Sequence, residues 1–164
     1  LYPPHHSVSV PVNTAYVPTP AAGLAWQFGA SFAPGEMGGL PGMNPSGDEA
    51  WWFDINVLFP NFFIDVGPGW YFTYNFWPVS VDETHWEMNI YQLEAQTAAQ
   101  KIAQEHTKVL LRDILYEDLS TMEQTHESMK SGKLKTMIVG EMEIAVRHQL
   151  YQVTQWVEGK GCME

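Results

Sequence analysis

At 164 residues, with 45% hydrophobic and 13% aromatic residues, the chain has the length and apolar content of one domain with a core, which excludes a disordered polypeptide. Its formal net charge of -11 sets 19 acidic residues against eight Lys and Arg, which argues against nucleic acid or an anionic membrane surface as a partner. A single cysteine, Cys162, leaves no intramolecular disulfide and no cysteine zinc cluster, as in a reducing, cytoplasmic setting, and no apolar run reaches the roughly 18 residues that span a bilayer.

The chain opens on Leu1 rather than Met and is expected to continue a longer protein upstream. SVSVPV, ending at Val12, alternates like a short strand, with Pro11 confining it to an edge. His5 and His6 are adjacent after Pro3-Pro4 and make a poor chelating pair, because neighbours on a strand face opposite ways. From Thr14 to Ser46, Pro, Gly and Ala dominate, so residues 1–48 read as a loop-rich cover. Leu24 to Phe32 is its one apolar island, a short helix or turn. Trp26, Phe28, Met37 and Met43 are candidates either to lie over a pocket or to cap the core.

Residues 49–93 carry strand signals. Trp51 to Phe59, Phe62 to Val66, Trp70 to Pro78 and Thr84 to Leu93 are separated by turn residues, with Gly67-Pro68-Gly69 the strongest punctuation. In the fourth run Trp86, Met88, Ile90 and Gln92 share one face; His85, Glu87, Asn89 and Tyr91 share the other. Short connections imply an antiparallel meander. Asp54 and Asp65 stand in strands among aromatics, and no chemistry is assigned to them from sequence.

From Glu94 the period changes. No Pro or Gly interrupts the chain before Gly132, and residues 94–132 read as a long helix, whole or broken once. A final helix spans 141–158, with Val146, Leu150, Val153 and Val157 as its apolar side. On the long helix Leu111, Ile114, Leu115, Met122 and Met129 form one stripe at about 100° per residue, and Asp118 falls within roughly 20° of its middle. Asp113, Glu117, Glu123 and Glu127 point elsewhere. A carboxylate on an apolar stripe is expected to be buried. It is then either hydrogen-bonded or ion-paired, or it serves a metal or a reaction.

Several chemistries are absent from the sequence. There is no phosphate-binding GxxxxGKS loop, no GxSxG nucleophile elbow and no His-x3-His metal pair. His106, His126 and His148 stand singly, without a spacing that favours chelation.

The order of features is LFPNFFIDV, then YFTYNFWPV, then DETHWEMNIY, then a helix carrying YEDLSTMEQTHESMKSG, and a closing helix with Glu and His. It resembles the C-terminal part of the catalytic domain of Rieske non-haem iron aromatic-ring-hydroxylating oxygenase alpha subunits. The resemblance runs from about Trp51 to Glu158, with the SVSV segment also fitting. It implies an α+β helix-grip fold: a twisted antiparallel sheet gripping a long helix, with a C-terminal helix beside it. It also implies that Asp118 is the carboxylate ligand of a mononuclear Fe(II), completing a triad with two histidines. Leu111, Leu115 and Met122 are then candidates for the wall of a substrate pocket.

Electrons would come from a Rieske [2Fe-2S] cluster, fed by a ferredoxin or reductase. The substrate would be an apolar, aromatic small molecule of the kind met in aromatic hydrocarbon catabolism, and the assembly a homotrimer or a complex with a small subunit. The Rieske ligands and the two iron histidines do not occur here and would lie upstream of Leu1, so the chain alone is expected to bind iron weakly and to be inactive. Two other readings stay open: a metal-free helix-grip module that binds an apolar ligand, and a scaffold with no site.

Overall fold

Aromatic and β-branched residues in period two build the strands. The computed structural model describes residues 2–13, 15–29 and 42–161. Its strands are β1 (His6–Pro11), β2 (Trp51–Leu58), β3 (Phe62–Gly67), β4 (Trp70–Ser80) and β5 (Glu83–Gln92). They form one sheet in the order β1-β2-β3-β4-β5, each strand antiparallel to the next. The four aromatic-rich runs of the sequence are thus β2 to β5, displaced by at most two residues at their ends.

Turn chemistry sets the register. Pro68 followed by Gly69 at φ 76° is the proline-glycine pattern of a type II turn, and it places Gly67 opposite Trp70. A Cβ on Gly67 would collide with the Trp70 indole, so this strand end also needs glycine for space. β1 lies at the sheet edge, and its register shifts between Val10 and Pro11, where proline has no N–H to give the ladder. On β5, Trp86, Met88, Ile90 and Gln92 are half-buried while Glu87, Asn89 and Tyr91 are exposed, the alternation expected of a sheet with one covered face.

Three helices accompany the sheet: α1 (Pro20–Gly29), α2 (Ala98–Lys130) and α3 (Ile144–Val157). Within the stretch read as loop-rich cover, α1 starts at Pro20, the helical position best suited to proline, and Thr19 accepts from the Ala22 amide through its side chain. α2 runs unbroken for 33 residues. A reciprocal capping box opens it: the Thr97 hydroxyl accepts from the Gln100 amide and the Gln100 side chain accepts from the Thr97 amide. It ends at Ser131 and Gly132, the latter at φ 68°. α3 begins three residues later than the sequence pattern suggests.

Small side chains let helices approach. α1 packs on α2, with Ala22, Ala25 and Ala103 all buried. Gln104 anchors α2 to the end of β5 by donating to the Leu93 carbonyl at 2.6 Å. At the other end His126 and Lys130 reach Asp82 in the β4–β5 turn, at 3.3 Å and 3.4 Å, and hold its carboxyl below the usual range. α3 lies against the β1 side, where Trp156 meets Phe59 and Gln149 donates to the Pro60 carbonyl.

Candidate functional site

α2 crosses the aromatic face of the sheet without closing onto it. A cavity of about 740 Å³ remains between them. Phe53 and Ile55 of β2, Asp65 of β3, Trp70, Phe72 and Tyr74 of β4 and Gln92 of β5 form its floor. Its roof is α2 from His106 to Asp118, and Ala25 and Trp26 of α1 close one end. The floor is a ladder of rings: Trp70 stacks on Phe72 at 5.5 Å, and Phe72 on Tyr74 at 5.6 Å. Residues i, i+2 and i+4 of one strand share a face, so the WYFTYNF run alone generates this ladder.

The sequence-predicted residues distribute as follows. Leu111 and Leu115 line the cavity, as does Ile114. Met122 does not; it lines a second, more open pocket of about 460 Å³ under the next turns of α2, together with His126 and Met129. Asp118 belongs to both pockets and stands at their junction. Trp26 lines the main cavity and its ring lies 5.4 Å from that of Trp52. Phe28 and Met43 are not in the wall, and Met37 and Cys162 lie outside the described residues.

The expected burial of Asp118 is corrected. It is exposed, and Ile114, Met122 and Met129 of the same stripe are 46–47% exposed. The periodicity is right about the face; the reason for the exposure is that this face borders open cavity space rather than packed side chains. Among the described residues Asp118 has no hydrogen bond or ion pair. Its charge nevertheless reaches the floor: burial pushes the Tyr74 phenol up, and Asp65 and then Asp118 push it further.

The buried carboxylates are Asp54 and Asp65 instead. Asp54 is 1% exposed, with a partner at each carboxyl oxygen. Ser9 donates to its Oδ1 at 2.7 Å, the Trp51 indole N–H donates to the same oxygen at 2.9 Å, and the Asn44 amide donates to Oδ2 at 2.7 Å. It pins β1 and the 42–50 segment to β2, and it is a structural acid. Asp65 is 4% exposed, lies beside Tyr74, whose hydroxyl favours its ionised form, and its Oδ1 has no partner. Burial raises its pKa to about 7, against the pull of the Tyr74 hydroxyl. Sequence reasoning assigned Asp65 nothing. The available signal was an acid in FFIDV at a position whose strand neighbours two away, Phe63 and Gly67, share its face.

The capacity for metal can be tested on the residues present. Among the described residues no group of three or more His, Cys, Asp and Glu side chains could hold a metal ion. The unpaired Asp118 carboxylate is suited to be one ligand, but among the described residues it belongs to no group of three such side chains. His6 and His148 meet edge to face at 5.4 Å, yet neither lines the cavity; burial, then His148, lowers the His6 pKa. With its single cysteine the chain does not supply the ligands of a Rieske cluster.

A family model described as Ring hydroxylating alpha subunit (catalytic domain) matches residues 6–159. No curated protein and no solved structure gives a match. No helix among the described residues is long and apolar enough to cross a membrane.

Proposed function

This chain belongs to the family of ring-hydroxylating alpha-subunit catalytic domains, and on that premise we propose that it forms the substrate-binding portion of an iron-dependent oxygenase acting on an aromatic compound. The observation that carries the reading is the position of Asp118, an unpaired carboxylate where the aromatic cavity meets a second pocket. A substrate lying on the Trp70-Phe72-Tyr74 ladder is held beneath α2, with Leu111 and Leu115 against it and Asp118 at its far end.

Asp118 supplies one metal ligand in this proposal, and two histidines from outside the described residues supply the others. When bound, a mononuclear iron with two His and one carboxylate leaves positions open for dioxygen and substrate. The residues of this chain bind the ring, orient it by stacking and exclude water from it. Electrons are proposed to come from a Rieske [2Fe-2S] centre elsewhere in the assembly, with a ferredoxin or reductase as donor, in the cytoplasm. A homotrimer or a complex with a small subunit is compatible with this role. The 164 residues alone are proposed to bind iron weakly and to be inactive.

The test is iron content of the natural protein that carries this segment, beside the same protein with Asp118→Ala. Iron in the first and its loss from the second is the expected result. Iron held equally by both removes Asp118 from the centre. A natural protein that never holds iron moves a second reading to first place: a metal-free module that binds an apolar ligand.

A further inference from the structure

The cavity is not uniformly apolar. Asp65, Gln92 and His106 all line it, and each carries a buried polar atom without a partner: Asp65 Oδ1, Gln92 Oε1 and His106 Nδ1. Buried polar atoms are nearly always satisfied, and three of the eight exceptions among the described residues fall in this one cavity wall, which points to a ligand that satisfies them. Two of the three can only accept when Asp65 is ionised, and the third accepts as one histidine tautomer. No Lys or Arg lines the cavity among the described residues, whereas two carboxyl groups do, Asp65 and Asp118.

We infer that Asp65 is the polar anchor of this cavity, and that the ligand is an uncharged, mainly aromatic molecule bearing a hydrogen-bond donor such as a hydroxyl, not an aromatic carboxylate. This deepens the proposed function and rests on its reading of the cavity as the substrate site. The donor bonds the free Asp65 oxygen. The terminal torsion of an aspartate is soft, so the carboxyl turns to present that oxygen at small cost. The ring of the ligand then stacks on Phe72 and Trp70, on the strand beside Asp65. An anion is disfavoured twice: it meets two carboxyl groups and finds no cation to offset its lost hydration.

Calorimetric titration of the whole protein at about pH 8, where Asp65 is ionised, with indane, 5-indanol and indane-5-carboxylate tests the assignment. The expected order has 5-indanol about tenfold tighter than indane, the size of one buried hydrogen bond, with the carboxylate weakest. Asp65→Leu, of similar branching, makes 5-indanol and indane bind alike; Asp65→Asn, which keeps an acceptor oxygen, retains the preference and guards against a folding defect in the Leu variant. If indane and 5-indanol bind equally to the unaltered protein, or the carboxylate binds tightest, the anchor is wrong while the cavity reading stands. If the preference survives in Asp65→Leu, Asp65 is not the anchor. If none of the three binds, the cavity is not the substrate site, and both proposals fall.

Discussion

Asp65 and Tyr74 lie diagonally across the β3–β4 hairpin, on the floor of an aromatic cavity, and each shifts the other's titration. The pairing follows from the tight turn at 67–70, which puts Asp65 opposite Phe72 and brings Tyr74 diagonally alongside. The phenol offsets only part of the cost of burying the acid, whose pKa stays near 7.

That shift gives stability a definite dependence on pH. The folded Asp65 keeps its proton up to about 7, whereas an unfolded aspartate releases it near 3.8. Between these values the folded state binds more protons than the unfolded one, so stability falls as pH rises. The slope is at most about 1.4 kcal/mol per pH unit and the total roughly 4 kcal/mol. His6, with a lowered pKa, acts in the opposite sense, because acid favours the unfolded chain that protonates it more readily. Urea midpoints of the natural sequence and Asp65→Asn, compared from about pH 4 to about pH 8, isolate the aspartate: the variant is expected to lose the decline. An unchanged decline in Asp65→Asn would place its origin elsewhere.

Asp54 is expected to behave differently, since both of its oxygens are partnered within the fold, by three donors. Asp54→Ala strands the Ser9 hydroxyl, the Asn44 amide and the Trp51 indole N–H and should cost about 3 kcal/mol or more. Asp54→Asn keeps one acceptor and should cost less. Denaturant unfolding measures both, and a loss below about 1 kcal/mol for the alanine variant would contradict the role of a structural pin.

Asp118→Ala separates function from stability. The side chain is exposed and unpaired, so its removal should change folding stability by no more than about 0.5 kcal/mol. Loss of iron from the natural protein with unchanged unfolding is therefore the expected pair of results. A large stability loss would instead indicate a structural partner for this carboxylate.

The capping box at the start of α2 is a local prediction. Thr97→Ala removes the side-chain acceptor for the Gln100 amide and should cost about 1 kcal/mol. Thr97→Ser should restore most of it. Equal stability of the alanine and native forms would mean that Gln104 and its bond to Leu93 alone hold this helix end.

What the sequence determined by itself is whatever depends on neighbours within a few residues. Period two in DETHWEMNIY set the faces of β5, the Gly-Pro-Gly turn set the β3–β4 register, and period 3.6 put Leu111, Leu115 and Asp118 on one helical face. Each is a consequence of backbone geometry repeated along a single element. The distance between elements is not encoded that way. Only the tertiary structure decided that the face of α2 carrying Asp118 stands off the sheet, so that Asp118 is exposed at a junction of pockets rather than buried in a core. The same holds for the two buried acids, which look alike in sequence. Asp54 is occupied by donors 45 and 10 residues away, from Ser9 and Asn44, besides the nearby Trp51. Asp65 finds only Tyr74 on the neighbouring strand and is left with a free oxygen. Which buried carboxyl is satisfied and which awaits a ligand depends on how the chain brings distant donors together, and no local period reports that.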